Sequence, residues 1–156
     1  MSNASRGMMM ATNLQSPIEQ RNLHNYLSAK AAFNAGDIPT CIGYYALDHQ
    51  IRSQDLGKGR EFIEQFLSSF REDWPDVQVV TERTVVKDDW LAAWCSTSAT
   101  HAKTIWEIPP THQRITTTFW EMHRFGPDGM IEESWNLIDG LSIMKQIGFP
   151  SAADGR

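Results

Sequence analysis

Two titratable side chains near the end of the chain could carry acid/base chemistry. Asp139 closes the segment EESWNLID at positions 132–139, and the amphipathic run GLSIMKQIG follows it directly. His123 lies on the preceding β-type segment, close to the turn that joins the two segments. A histidine near a carboxylate can relay protons or polarise a carbonyl group. We therefore take Asp139 as the candidate acid/base residue and His123 as its candidate partner.

Both residues also have structural alternatives. Asp139 can cap a helix over GLSIMKQIG, because a carboxylate at that position accepts hydrogen bonds from the free amides of the first turn. His123 can be a half-buried strand histidine that is bonded to the backbone. Both interpretations of Asp139 can hold at once, and the sequence leaves the choice open.

Period-two alternation predicts what surrounds Asp139. It places Trp135 and Asp139 on the same face of the last strand, so Trp135 is expected to form an aromatic wall beside the carboxylate. An apolar wall raises the pKa of a carboxyl group by desolvation, which suits a general base near neutral pH. The full predicted row is Ile131, Glu133, Trp135, Leu137 and Asp139.

Other side chains are candidates for contact with a ligand. Phe119, Trp120 and Met122 supply aromatic and polarizable surface on one strand, although such residues also pack in cores. Alternation does not decide whether the row of Phe119 or the row of Trp120 faces inward. His101 follows in phase with the row Leu91, Ala93, Cys95, Thr97 and Ala99, so it can end a pocket-facing row or support the adjacent IPP loop.

The spacing of apolar residues changes along the chain from a helical period to the alternation of β-strands. Helical spacing and capping signals predict helices from Ser16 to Gly36, from Asp37 to about Ala46, and over REFIEQFLSSFREDW. Four alternating segments follow: VQVVTERTVVK, WLAAWCSTSATHA, RITTTFWEMHRF and MIEESWNLID. Helices gathered before an antiparallel run of strands predict an α+β fold, in which a curved antiparallel sheet wraps around the N-terminal helices as a cone. The open end of such a cone is a common place for a small-molecule pocket.

Length and composition limit the class of protein. The 156 residues suit one domain, which we place at 16–149 between a leader at 1–15 and a tail at 150–156. The net charge of -5 without a basic stripe disfavours nucleic-acid binding. No apolar run predicts a membrane span, and the two distant cysteines suggest reduced thiols in the cytoplasm. We find no sequence motif for a phosphate loop, a metal site or an organic cofactor.

The chain also resembles the SnoaL-like polyketide cyclase family, within the superfamily that includes nuclear transport factor two and ketosteroid isomerase. THAKTIWEIPPTHQRI is similar to the family element GTHxGxFxGIPPTGRxV, and GMIEESWNLIDGLSIMKQIG is similar to GKIxEHWxxxDxLGLLxQLG. FNAGD, YYALDH, GREFIEQF and WPD occur in the family's order, so the resemblance covers nearly all of residues 17–149.

This resemblance implies an α+β cone that forms dimers or tetramers through the outer face of its sheet. It also implies cofactor-free aldol cyclisation or isomerisation of an apolar, carbonyl-bearing substrate of polyketide or steroid type, with Asp139 at the position of the family's catalytic Asp. A dehydratase or hydratase, and a non-catalytic binding or accessory module, are the alternatives on the same fold.

The chain differs from the family at Ser134, where His is common, at Asn136, where many relatives carry an acid, and at Arg52, where His is frequent. Arg52 can hold an anionic oxygen of a ligand, or pair with Asp48 or Asp55 at the surface.

Overall fold

The first, second and last helices begin at the capping residues that the sequence indicates, which are Ser16, Asp37 and Asp139. A computed structural model of the chain describes residues 15–53 and 57–148; the predicted tail and all but the last residue of the predicted leader lie outside this part. Helix α1, Pro17–Ala35, begins with a capping box, in which Ser16 Oγ accepts from the Glu19 amide and the Glu19 carboxylate accepts from the Ser16 amide. Three further helices follow, α2 (Ile38–Ile42), α3 (Arg60–Asp73) and α4 (Gly140–Ile147). Within the described residues, no helix is long and apolar enough to span a membrane.

Helix α2 is shorter than predicted. It ends at Ile42, whereas the helical spacing indicated an end near residue 46, and strand β1, Tyr45–Ile51, starts almost at once. Two backbone hydrogen bonds, from the Ile131 amide to the Tyr44 carbonyl and from the Arg52 amide to the Ser134 carbonyl, attach this segment to the sheet. Pairing with a distant strand therefore overrides the local helical pattern.

The strands form one six-stranded sheet. The remaining strands are β2 (Gly57–Lys58), β3 (Gln78–Lys87), β4 (Trp90–Thr100), β5 (Arg114–Phe125) and β6 (Ile131–Ile138). Their order is β2-β1-β6-β5-β4-β3, and β3 to β6 form the predicted antiparallel meander. Strand β1 joins β6 in parallel and β2 pairs with β1, which the sequence did not predict. The α+β class with N-terminal helices against a curved sheet is confirmed.

The face of the sheet that meets the helices is defined by alternate residues. On β4 the buried row is the predicted one, Leu91 to Ala99. On β5 the row that contains Phe119 faces inward, and the row that contains Trp120 faces outward. The inward row consists of Ile115, Thr117, Phe119, Glu121, His123 and Phe125. Tyr26, Ala29 and Phe33 of α1 belong to the buried core against this face.

A β-bulge changes the phase of the last strand. Arg124 pairs with Glu133 and Phe125 pairs with Ile131, so Glu132 is the extra residue on β6. After the bulge the cavity-facing row is Ser134, Asn136 and Ile138. The predicted row through Trp135 and Asp139 is therefore wrong beyond Ile131, because one inserted residue exchanges the two faces of a strand.

Candidate functional site

A cavity of about 240 Å³ lies between the inner face of the sheet and helices α1, α2 and α3. This volume is slightly below the range of about 300–1,000 Å³ that is usual for drug-sized ligands. Most of its wall is apolar, with aromatic rings from Phe33, Tyr45, Phe66, Phe70 and Phe119. Its polar wall includes Lys30, Glu121, His123, Ser134 and Asn136. The cavity therefore suits a compact apolar ligand with one or a few polar atoms.

The cavity has a polar deep end and an apolar mouth. Cross-strand pairs of β5 and β6 line it in sequence, first His123 with Ser134, then Glu121 with Asn136, then Phe119 with Ile138. The exposed fraction along β6 rises from 2% at Ser134 to 40% at Ile138. A ligand that enters at Ile138 would thus meet the ionisable groups with its leading end.

Glu121 is the buried carboxylate of this site. Its Oε1 atom contacts Lys30 Nζ at 2.6 Å and accepts a hydrogen bond of 2.6 Å from the Tyr26 hydroxyl. Its Oε2 atom lies 3.4 Å from His123 Nε2. Lys30 and Tyr26 both come from α1, so the helix delivers a cation and a donor to the centre of β5.

Glu121 is held in its charged form. Burial alone raises the pKa of its carboxyl group, but the Lys30 ammonium and His123 outweigh burial, and the net pKa lies below the ordinary value of 4.5. The reverse holds for Tyr26, because burial and the nearby Glu121 charge raise the pKa of its hydroxyl well above the usual range. At neutral pH Tyr26 is therefore a hydrogen-bond donor to a charged carboxylate.

His123 is connected to a second buried histidine. Its Nδ1 atom lies 2.8 Å from Ser134 Oγ, and the same Oγ lies 2.8 Å from His49 Nε2. All three side chains are buried, although they come from β5, β6 and β1. Burial lowers the pKa of His49 to about 4, and the neighbouring His123 acts in the same direction. His49 is therefore neutral at pH 7. Ser134 connects it to His123 by hydrogen bonds, and His123 in turn lies close to Glu121.

Comparison with protein families identifies the chain. The family model for SnoaL-like polyketide cyclases matches residues 24–147, which is well over half of the sequence. The chain belongs to this family. A search of curated protein sequences gives no significant match.

Solved structures agree with this SnoaL-like assignment at the level of the fold. AclR from Streptomyces galilaeus, a candidate hydroxylase, is 22% identical with a TM-score of 0.76, over 85% of this chain and 99% of that one. A candidate SnoaL-like polyketide cyclase from Jannaschia sp. CCS1 is 20% identical with a TM-score of 0.78, over 88% and 99%. IdmH from Streptomyces antibioticus, a candidate polyketide cyclase, is 25% identical with a TM-score of 0.74, over 81% and 98%. These neighbours share the cone of the nuclear-transport-factor-two-like superfamily.

Asp139 lies outside the cavity of this SnoaL-like chain. It is exposed, and its Oδ1 accepts a hydrogen bond of 3.0 Å from the Ser142 amide as the N-cap of α4. It is not among the residues that line the cavity. The geometry supports the capping alternative for Asp139.

Three predicted contact residues lie on the outer face of the sheet instead of in the cavity. Trp120 stacks on Trp94 with ring centroids 5.9 Å apart, and Trp135 packs on Trp90 at 5.4 Å. Met122 belongs to the same outer row of β5 as Trp120. The bulge in β6 explains the error for Trp135, and the unresolved phase of β5 explains it for the other two. Phe119, from the alternative row, does line the cavity.

His101 and Arg52 also lie away from the cavity lining. His101 is fully buried, its Nδ1 accepts from the Thr111 amide at 3.2 Å, and its ring packs 5.8 Å from that of Trp74. His101 thus supports the loop that follows the IPP segment, and this agrees with the structural role that the sequence left open for it. Arg52 is exposed and pairs with Glu133 of β6. Among the described residues it forms no ion pair with Asp48, and Asp55 lies outside that part of the chain.

Sequence reasoning missed most of the polar site. Glu121 and Lys30 were not singled out, since each lies in an amphipathic element where charged residues are common on the solvent side. One signal was present: Glu121 shares its strand row with His123, so a pocket-facing His123 requires a pocket-facing Glu121. Ser134 and His49 were noted only as parts of family motifs.

The site can perform proton transfer and stabilise negative charge. His123 lines the deep end of an apolar cavity, and its buried Nε2 atom has no hydrogen-bond partner among the described residues. The Glu121 carboxylate lies 3.4 Å from that Nε2 atom, and the amide of Asn136 can donate to an oxygen of a ligand. These are the elements of acid/base catalysis at a carbon next to a carbonyl group.

Proposed function

We propose that this SnoaL-like protein catalyses cofactor-free proton transfer on a compact, apolar, carbonyl-bearing molecule, leading to isomerisation or intramolecular aldol cyclisation. His123 is the acid/base residue, Glu121 stabilises its charged form, and Asn136 binds the carbonyl oxygen. The observation that supports the proposal is the contact of His123 with the buried Glu121 carboxylate at the deep end of an apolar cavity.

The reaction begins with removal of a proton from the carbon beside the carbonyl. His123 Nε2 accepts this proton, and the electron pair of the C–H bond moves to the carbonyl oxygen as an enolate. The imidazolium that forms lies 3.4 Å from Glu121 Oε2, measured between Nε2 and Oε2. This attraction is stronger after proton transfer than before it, as catalysis requires. The enolate then takes the proton back from His123 at another carbon, or attacks a second carbonyl of the same molecule. In the second case the alkoxide that forms takes the proton from His123, which restores the neutral ring.

Deuterium exchange tests this chemistry without knowledge of the natural substrate. 2-Tetralone is a two-ring ketone with acidic protons beside its carbonyl, and NMR in D₂O follows their loss. The protein is expected to accelerate this exchange above the buffer rate. His123→Gln should reduce the acceleration by about a hundredfold or more, the lower end of what a general acid/base group contributes.

His24→Gln is the matched control, because His24 is an exposed histidine of α1. It should exchange deuterium at the wild-type rate. Amide chemical shifts of Phe119 and Ile138 report in parallel whether the ketone occupies the cavity. Equal rates for the wild type and His123→Gln, with the cavity occupied, would remove His123 from the mechanism.

Asn136 favours a second candidate function, that of a non-catalytic ligand carrier or accessory subunit. Asn136 lines the cavity at a position where, from the resemblance, many relatives carry an acid. A carrier would bind planar apolar ligands tightly and leave their protons unexchanged. The same NMR experiment separates the two functions, since it measures occupancy and exchange together.

We further propose that the protein forms a homodimer through the outer face of its sheet. The exposed fractions are 57% for Trp120, 71% for Leu137 and 69% for Val85, and these residues lie on β5, β6 and β3. Trp94 pairs directly with Trp120, and Trp120 with Leu137, so an apolar band crosses neighbouring strands. A contiguous apolar band on a sheet is typical of an interaction surface.

A further inference from the structure

Hydrogen-bond donors without acceptors line the middle of the cavity. They belong to Lys30 of α1, Asn136 of β6 and Ser53, which lies just after β1. The Lys30 ammonium carries three protons, and Glu121 is its one ion-pair partner among the described residues. Ser53 Oγ accepts from the Asn136 backbone amide at 2.9 Å, but neither its own proton nor the Asn136 side chain has a partner in the described part of the chain. Several donors therefore remain available to a ligand.

The sheet brings these donors to one region. Asn136 lies directly opposite Glu121 on neighbouring strands, and such cross-strand neighbours have Cβ atoms about 4.5–5.5 Å apart. Lys30 Nζ lies 2.6 Å from Glu121 Oε1, and Ser53 is bonded to the Asn136 backbone. The three donors thus lie beside the cavity at the level of the Glu121 and Asn136 pair, between its deep end and its mouth.

This region has more donors than acceptors. Glu121 accepts one bond from Lys30 and another from Tyr26, so two ammonium protons of Lys30 remain unused. Lys30 is the only lysine or arginine among the described residues that line the cavity, and 18% of its side chain is exposed. A carboxylate is an acceptor-only group with two oxygens, and it suits a cation beside neutral donors. Because Coulomb attraction is stronger in an apolar cavity than in water, the region favours an anionic oxygen group.

We propose that Lys30, Ser53 and Asn136 bind a carboxylate of the ligand, so that the substrate is a compact apolar keto acid. Lys30 donates to one carboxylate oxygen while it stays paired with Glu121, and Ser53 and Asn136 donate to the other. The second amide proton of Asn136 remains for the ketone oxygen. This inference rests on the proposed function in one respect, that the cavity is the substrate site.

Lys30 and Glu121 act on a bound acid with opposite signs. Loss of Lys30 alone would leave the Glu121 charge without its cation, and that charge would itself repel an acid. Replacement of both residues removes the two charges together, which is milder for the fold than breaking a buried pair. Glu121→Gln should therefore bind an acid more tightly than the wild type. The double variant Lys30→Met with Glu121→Gln should bind it more weakly than Glu121→Gln alone.

Isothermal titration calorimetry with 2-naphthoate and 2-naphthamide measures these affinities. The two compounds have the two-ring size of 2-tetralone and differ in charge, and at about pH 8 the acid is ionised. The wild type should bind 2-naphthoate about tenfold more tightly than 2-naphthamide, and Glu121→Gln should increase this ratio. The double variant should bind the two compounds with similar affinity. Ser53→Ala should weaken 2-naphthoate by about tenfold, because a hydrogen bond to a charged group is lost. Ser69→Ala on α3 and Lys145→Met on α4, both at exposed positions, are the controls.

Two results would overturn the inference. One is equal affinity of the wild type for the two compounds, and the other is a double variant that keeps the preference of Glu121→Gln for the acid. Deuterium exchange of 2-tetralone separates these results from a failure of the proposed function. A preference for 2-naphthoate that depends on Lys30, without 2-tetralone exchange, would refute the proposed catalysis and support the carboxylate site, as in a carrier of apolar acids. Exchange without such a preference would do the reverse.

Discussion

Replacement of Lys30 by methionine tests whether Glu121 is a charged buried group. Lys30→Met keeps the length and most of the apolar stem of the side chain but removes the ammonium that lies 2.6 Å from Glu121 Oε1. The side chain of Lys30 is 18% exposed and that of Glu121 is 3% exposed, so solvent screens the pair weakly. Glu121 would remain buried with the Tyr26 hydroxyl as its donor and His123 beside it.

Electrostatics limits how much unfolding free energy the Lys30→Met variant can lose. At an effective dielectric constant of about 20, Coulomb's law gives about 6 kcal/mol of gross attraction at 2.6 Å. Most of that offsets the desolvation of the two charges, and removal of one partner from a buried pair costs about 3–5 kcal/mol. However, Glu121 can become neutral in the variant by binding a proton. For a carboxyl group with the ordinary pKa of 4.5, this protonation costs about 3.4 kcal/mol at pH 7. We therefore expect the variant to lose about 3 kcal/mol of unfolding free energy.

The loss should depend on pH in a defined direction. In the wild type the folded-state pKa of Glu121 is depressed, so its stabilisation is present above pH 4.5 and is lost as the pH falls through the folded value. In Lys30→Met the folded-state pKa is raised instead, so the variant loses stability as the pH rises above 4.5. At pH 5 protonation costs only about 0.7 kcal/mol, and the difference between the two proteins should shrink accordingly.

Urea unfolding followed by tryptophan fluorescence, at pH 5 and pH 7, measures both quantities. Lys145→Met, at an exposed position of α4, is the control and should change the free energy of unfolding by about 0.5 kcal/mol or less. A loss of under about 1 kcal/mol in Lys30→Met at pH 7, or a loss that is equal at the two pH values, would refute the assignment of a buried, charged Glu121.

Two further predictions concern residues outside the cavity. Asp139→Asn should keep both stability and 2-tetralone exchange, because Asn also caps a helix. Asp139→Ala should lose about 1 kcal/mol of unfolding free energy, because it removes the cap of α4. Loss of exchange in a stable Asp139→Asn variant would return the acid/base role to Asp139. Trp120→Glu should convert the proposed dimer to a monomer in analytical ultracentrifugation, while Trp106→Glu, in an exposed loop position, should leave the dimer intact. A Trp120→Glu variant that remains dimeric would move the interface away from the outer face.

The sequence predicted most of the fold because its signals are local. The capping box at Ser16 and the alternation along β4 each involve neighbouring residues, and both are present as expected. Strand β1 was predicted partly as helix, since its partner β6 lies about eighty residues later and local spacing does not report such pairing. The family resemblance compensated for this, because the order of its motifs extends along nearly the whole chain.

The site was less predictable because it depends on phase and on contacts between elements. One extra residue at Glu132 exchanged the faces of β6, which moved Trp135 outward and Ser134 inward. The pairing of Lys30 with Glu121 joins a helix to a strand, and no spacing along the chain indicates it. Of the two predicted catalytic residues, His123 lies at the cavity and Asp139 does not.

Deuterium exchange into bound 2-tetralone measures proton transfer by His123 inside the cavity. We expect exchange that is faster than in buffer, that is retained in His24→Gln, and that falls by about a hundredfold or more in His123→Gln. Exchange at the same rate in His123→Gln, with Phe119 and Ile138 still reporting a bound ketone, would contradict it.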